Sequence, residues 1–158
     1  MSERTPTIHA SAVLVGAKAV LIRGPSGSGK SQLVLALLDA AHAGHLPFAR
    51  LVADDRVHVE AVNGRLLVRP ASALRGLLEL RGSGIHSVET EPVAAIGCVV
   101  DLAAQDAARL PEKQAQEAVI EGIRLPRLAV APGQEALLRL LALLHSLGGS
   151  HPGAVQPP

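Results

Sequence analysis

Gly24-Pro25-Ser26-Gly27-Ser28-Gly29-Lys30-Ser31 satisfies every fixed position of a phosphate-cradling P-loop. Glycines at this spacing let the backbone wrap a polyphosphate with successive N–H groups pointing inward, and a helix starting at the end of the loop adds partial positive charge. Lys30 is then placed to reach the β- and γ-phosphates, and the Ser31 hydroxyl to ligate Mg²⁺. The chain has three lysines against twelve arginines, which sets a lysine at this position apart from compositional background. The expectation is a site for a nucleoside triphosphate.

Two further segments carry chemistry. Asp54-Asp55 closes the apolar run Leu51-Val52-Ala53, downstream of the loop. One carboxylate in that position can hold a Mg²⁺ shell and the other can accept a proton from an attacking hydroxyl. Without the P-loop, the same pair would read as a charged corner before Arg56. Glu79 and Arg81 stand two apart, so on a strand both point to one face, ahead of the turn Gly82-Ser83-Gly84. A carboxylate for metal beside a guanidinium for phosphate suits phosphoryl transfer, and an edge-strand ion pair accounts for the pattern equally well. His9 and Arg109 stand alone; by themselves they read as solvated side chains.

The elements that must position these groups follow from the apolar pattern. Residues 12–15 and 18–22 predict two strands joined by Gly16-Ala17, the second running into the loop. The loop helix is expected to reach about Ala43, with Gly44 as its stop. Residues 57–60 and 65–68 alternate around Asn63-Gly64, a hairpin signal, and Pro70 closes the second strand. Residues 93–102 form the most apolar strand; 103–116 read as a flexible or partly helical loop; 120–130 read as β-like but broken by Pro126. A helix is expected from Gln134 to about Leu147, then a disordered tail over 150–158 behind one catalytic domain, 1–149. The strand-rich middle departs from the alternating βαβ order of a nucleotide kinase.

Composition narrows the partners. One aromatic residue, Phe48, and a net charge of +1 without a basic run argue against nucleic-acid binding. The single Cys98 excludes an internal disulfide and reads as a small buried hydrophobe. No apolar run is long enough to span a membrane, and the expectation is a soluble cytoplasmic protein.

Taken together, His9, Gly24 to Ser31, Leu51-Val52-Ala53-Asp54-Asp55-Arg56-Val57 and Leu77-Leu78-Glu79-Leu80-Arg81-Gly82-Ser83-Gly84-Ile85 resemble the catalytic domain of HPr kinase/phosphorylase, in its short alphaproteobacterial form. The resemblance runs from His9 to about Leu144; the last two segments are its most specific part. It implies an α/β P-loop domain of the phosphoenolpyruvate-carboxykinase-like type, a β-rich mixed sheet with a P-loop helix and a C-terminal helix. It implies ATP and Mg²⁺ as cofactors and transfer to a serine of an HPr-type phosphocarrier of the phosphotransferase system. Lys30 and residues Gly24, Pro25, Ser26, Gly27, Ser28, Gly29 and Ser31 would bind the nucleotide, with Ser31 and Glu79 on the metal. The aspartate pair would supply the base, without fixing which member; His9 would assist its protonation, and Arg109 would match the loop arginine that contacts the phosphoryl group, beside Arg81, read above as a guanidinium for phosphate. The family assembles as hexamers.

Departures are specific. Eight residues precede His9, Ala10 replaces the glycine usual after the histidine, and Pro25 stands where aspartate is common. The family's P-G-R-N reads Pro132-Gly133-Gln134-Glu135 here, without the arginine tied to reverse phosphorolysis. Two alternatives stay open: a nucleotide-sensing module without turnover, and a small-molecule kinase on the same fold.

Overall fold

The structure is a computed structural model that describes residues 7–71, 76–80, 82, 84–108 and 112–148, with only the backbone at 77, 79 and 80. Arg81, Arg109 and the expected tail at 150–158 lie outside the described residues.

Apolar residues build a mixed sheet whose central strands are buried on both faces. Its path is β1 (Thr7–Ile8), β5 (Val57–Val62), β6 (Arg65–Pro70), β9 (Ala94–Asp101), β3 (Lys18–Arg23), β2 (Ala10–Val15) and β4 (Ala49–Ala53). A hairpin of β10 (Glu117–Ile120) and β11 (Ile123–Ala129) joins β9 through β11. β7 (Leu77–Leu80) and β8 (Gly84–Ser87) form a separate antiparallel pair.

Within β3, Leu21 packs into one core with Ala10, Ala12, Val57, Leu66 and Val99. Its neighbours Val20 and Ile22 face the other way, into a second core with Leu33, Val34, Leu37, Cys98 and Val100. This period-two division is why the strands read as continuous apolar runs. The second core is covered by α1 (Lys30–His42), and α2 (Leu137–Leu147) adds Leu140 to it. Burial pushes the Cys98 thiol up to about 12, in keeping with a buried hydrophobe.

The β2–β3 hairpin, the P-loop helix and its stop follow the pattern read from the sequence; Gly44 adopts φ +85° just beyond the helix. Asn63 (φ 51°) and Gly64 (φ 78°) make the left-handed turn expected of the β5–β6 hairpin. The loop over 103–116 is partly helical as expected, with a short 3-10 turn at Lys113–Gln116 among its described residues. Two expectations are corrected. Pro126 does not break its strand: it pairs with Glu117 inside β11, and the ladder with β9 begins one residue later at Arg127, so no N–H of residue 126 is required there. The last helix starts at Leu137, because Gln134 and Glu135 fold back onto the preceding turn and onto the helix end.

Among the described residues, no helix is long and apolar enough to cross a membrane.

Candidate active site

The P-loop leaves β3 at Arg23 and enters α1 at Lys30. Gly27 (φ 81°) and Gly29 (φ 101°) take the left-handed conformations that turn backbone N–H groups into one concavity. A bond from Ser28 N–H to Pro25 O, 3.1 Å, closes the turn. Gly24 is fixed by packing, since a Cβ there would lie 2.5 Å from Ser28 Oγ and 3.1 Å from Leu102 Cβ. Lys30 is 7% exposed and donates through Nζ to Gly24 O (2.8 Å) and Pro25 O (3.2 Å), which holds the ammonium over the loop. A backbone nest with a lysine folded across it fits a polyphosphate.

Beside the loop, the two aspartates diverge. Asp54, at the end of β4, accepts from Ser31 Oγ at 3.0 Å and from Ser11 Oγ at 2.6 Å. Asp55 has the left-handed φ of 78° in the turn before β5, and this swings its side chain the other way. His9 Nε2 lies 2.5 Å from Asp55 Oδ1. His9 sits between β1 and β2, and the pairing of Ile8 with Val57 brings it to the Asp55 turn. A hydroxyl and a carboxylate side by side suit Mg²⁺; an exposed carboxylate backed by an imidazole suits proton transfer.

Ser11 was not legible from the sequence. It is wholly buried, and besides its bond to Asp54 it accepts the Asp55 N–H at 3.1 Å. One hydroxyl therefore fixes both members of the pair. Among the described residues, Ser11 and Lys30 are the buried polar residues, and both belong to this site.

A charge cluster behind the P-loop was also missed. Asp101 ends β9 in register with Arg23, the residue before the loop. Arg23 binds Asp101 with two bonds (2.7 and 2.8 Å), and Arg127 Nε binds it at 2.6 Å. Arg127 also reaches Asp106 (2.8 and 3.0 Å) and Ala115 O (2.9 Å). Burial would raise the Asp101 pKa, but hydrogen bonds from Arg23 and then Arg127 outweigh it and hold the carboxyl below its ordinary range. Two guanidiniums occupy Asp101, and Asp54 is the acid that faces Ser31. An acid ending an apolar strand, as Asp54 also does, was the signal available for it.

Of the sequence-derived site, the structure brings together His9, Lys30, Ser31, Asp54, Asp55 and the loop residues. Glu79 lies on β7 opposite Ile85, with its side chain outside the description, as are Arg81 and Arg109.

The chain is similar to known proteins. The family described as HPr Serine kinase C-terminal domain matches residues 1–136. Proteins named HPr kinase/phosphorylase from three strains of Streptococcus thermophilus are 33% identical, over 82% of this chain and 43% of theirs. The chain thus spans less than half the length of these curated relatives. The solved Hpr(Ser) kinase/phosphatase from Coxiella burnetii shares the fold, with a TM-score of 0.66 and 24% identity over 92% of this chain and 95% of that one.

Proposed function

The chain belongs to the HPr serine kinase C-terminal domain family, and from that membership we propose that it transfers the γ-phosphoryl group of ATP to a serine of an HPr-type phosphocarrier. The observation that carries this reading is the divergence of the aspartates, one toward the P-loop serine and one toward a histidine.

In this mechanism the nest at residues 24–29 and Lys30 grip the β- and γ-phosphates. Asp54 and Ser31, with Glu79, would hold Mg²⁺, which neutralises charge on the phosphate oxygens when bound. Asp55 takes the proton of the acceptor serine. His9 holds the Asp55 carboxylate and shares the proton it gains. Arg109 serves the phosphoryl group by resemblance, and Arg81 by its spacing from Glu79. Ser11 keeps the two carboxylates apart, so that one stays with the metal and the other stays free for the proton.

The forward direction is favoured. At residues 132–135 the chain offers Gln134 and Glu135 where phosphorolysis calls for a cation, and both side chains are engaged locally. We place the protein in the cytoplasm as a homo-oligomer, hexameric as in its family.

The test is the intact mass of a purified HPr-type carrier after incubation with the protein, ATP and Mg²⁺, with Lys30→Ala as control. One phosphate on a serine, absent with the variant, is the expected result. Bound ATP with no phosphorylated carrier would overturn the kinase reading in favour of a nucleotide sensor.

A further inference from the structure

Strand β3 begins at Lys18 and reaches the P-loop at Arg23, so its two ends lie about 17 Å apart at the usual strand rise. A cavity of about 620 Å³ opens at the Lys18 end, between the first halves of β3 and β9 and the last turn of α2. Its volume falls within the roughly 300–1,000 Å³ typical of small-molecule sites. None of its lining residues belongs to the site described above.

Three cations line this cavity, Lys18, Arg65 and Arg124, and among the described residues no Asp or Glu does. Strand alternation puts all three on one face. Lys18 stands two before Val20 and shares its side of β3, the side of the second core. Arg65 and Arg124 each precede a leucine of the first core, Leu66 and Leu125, and so point away from that core. Onto the same face α2 lays Leu144, which packs on the second core, and Leu147, 45% exposed at the helix end. Arg124 is tied to Glu117 at 3.3 Å. Lys18 and Arg65 are exposed, and neither has an ion-pair partner among the described residues.

The backbone itself makes room for Lys18. The ladder between β3 and β9 skips Gly97, since Ala19 pairs with Ile96 and Val20 with Cys98. A Cβ on Gly97 would lie 2.8 Å from Lys18 Cβ and 3.2 Å from its Cδ, so the lysine stem runs across the glycine. Glycine inside a strand is unfavourable and marks a close approach. Here, in an otherwise apolar strand, what approaches is one of the chain's three lysines. We infer that this cavity binds a small organic anion, with its charged head at Lys18 and Arg65 and its aliphatic body against Leu144 and Leu147. Cations gathered around one cavity with no acid in the lining repel one another, and an anion relieves that repulsion. The aliphatic lining calls for a body as well as a charge, because an inorganic ion would leave it in water. Carboxylate and phosphate heads share this chemistry. The site needs no nucleotide at the P-loop.

The test titrates the native protein calorimetrically with octanoate, octyl phosphate, octylammonium and acetate. The tighter of the two octyl anions, which assigns the head, is then titrated into Lys18→Gln, Arg65→Gln and Lys30→Ala. That anion is expected to bind about tenfold or more tightly than octylammonium, which has the wrong charge, and than acetate, which lacks the buried methylenes. Each Gln variant is expected to weaken it about three- to tenfold, between an exposed ion pair and a charge-assisted bond. Both cations are exposed, so one variant keeps the test alive if the other fails to fold. Lys30→Ala, at the far end of the sheet, is expected to leave the affinity within about twofold. Octylammonium or acetate binding as tightly as the octyl anions, or unchanged affinity in both Gln variants, would overturn the site. Loss of binding in Lys30→Ala would overturn it by moving the anion to the P-loop. Absence of octyl-anion binding would overturn it too; oligomers in sedimentation that Leu147→Lys disperses would then give this face to a second copy of the chain.

Discussion

Ser31 Oγ lies 3.0 Å from Asp54 Oδ2, joining the first turn of the P-loop helix to the end of β4. That contact ties one aspartate to the phosphate-binding element and leaves its neighbour, Asp55, turned toward His9. The adjacent carboxylates therefore have separable roles.

Asp55→Asn removes the proton acceptor and is expected to slow phosphoryl transfer by about 10²–10⁴-fold, with Mg-ATP affinity nearly unchanged. Asp54→Asn is expected to weaken Mg²⁺-dependent nucleotide binding by about tenfold, the scale of one charge-assisted contact. Single-turnover transfer and calorimetry on the two variants check the assignment; the opposite pattern would exchange the roles.

Ser11→Ala leaves the Asp55 N–H and one Asp54 bond without a partner in a buried place, at a cost of about 1–3 kcal/mol. The larger effect is expected in turnover. Once the turn carrying Asp55 is released, kcat falls by about 10–100-fold through misplacement of the base, while KM for ATP stays close to the native value. Steady-state kinetics beside thermal unfolding separates this from a simple loss of fold. Parallel losses in kcat and ATP binding would remove Ser11 from its positioning role.

These two sites also mark what a sequence reading can reach. The P-loop, Asp54-Asp55 and the Asn63-Gly64 turn are local codes, in which residue type and spacing dictate backbone conformation within a few positions. Ser11 is one hydroxyl in the run Ala10-Ser11-Ala12-Val13, and its meaning comes from the β2–β4 pairing that brings it to Asp54, 43 positions away. Arg127 is obscured in the same way, since its partner Asp101 is 26 positions away on a parallel neighbour. Pro126 misleads because the rule against proline in strands assumes a ladder at that position on both edges, and β9 pairs only from Arg127 onward. Gln134 and Glu135 continue a helical pattern in the sequence, yet their side chains bond back to the turn and the helix end.

Gly24→Ala tests the packing of the loop itself. The added Cβ would stand 2.5 Å from Ser28 Oγ, with Leu102 Cβ and Leu102 O at 3.1 and 3.2 Å on the other side. Ser28 can rotate but the Leu102 backbone cannot, so the loop must shift. Overpacking of this kind costs about 1–3 kcal/mol, and nucleotide binding is expected to fall with it. Calorimetry showing native affinity in the variant would mean that the loop adapts.

The Arg127 cluster makes stability depend on acid in a defined direction. Burial opposes ionisation of Asp101, but the hydrogen bonds from Arg23 and Arg127 prevail and its folded pKa lies below the ordinary 3.8. A carboxyl whose folded pKa is lowered contributes stability that is complete above its unfolded pKa and is lost as pH falls through the folded value. Asp106 is shifted the same way by its hydrogen bond from Arg127. Arg127→Leu strips both carboxylates of this partner; Arg23 keeps its two bonds to Asp101, so the expected cost at Asp101 near neutral pH is about 1.5–3 kcal/mol, that of one lost hydrogen bond to a charged group. Below about pH 3.9, the unfolded value for aspartate, the native protein loses its own advantage and the gap between the two proteins narrows. Urea unfolding of both from pH 7 down to the acid limit measures that gap directly. A difference that stays constant through the acid range would mean that packing of the Arg127 stem, and not its charge on Asp101 and Asp106, secures the strand behind the P-loop.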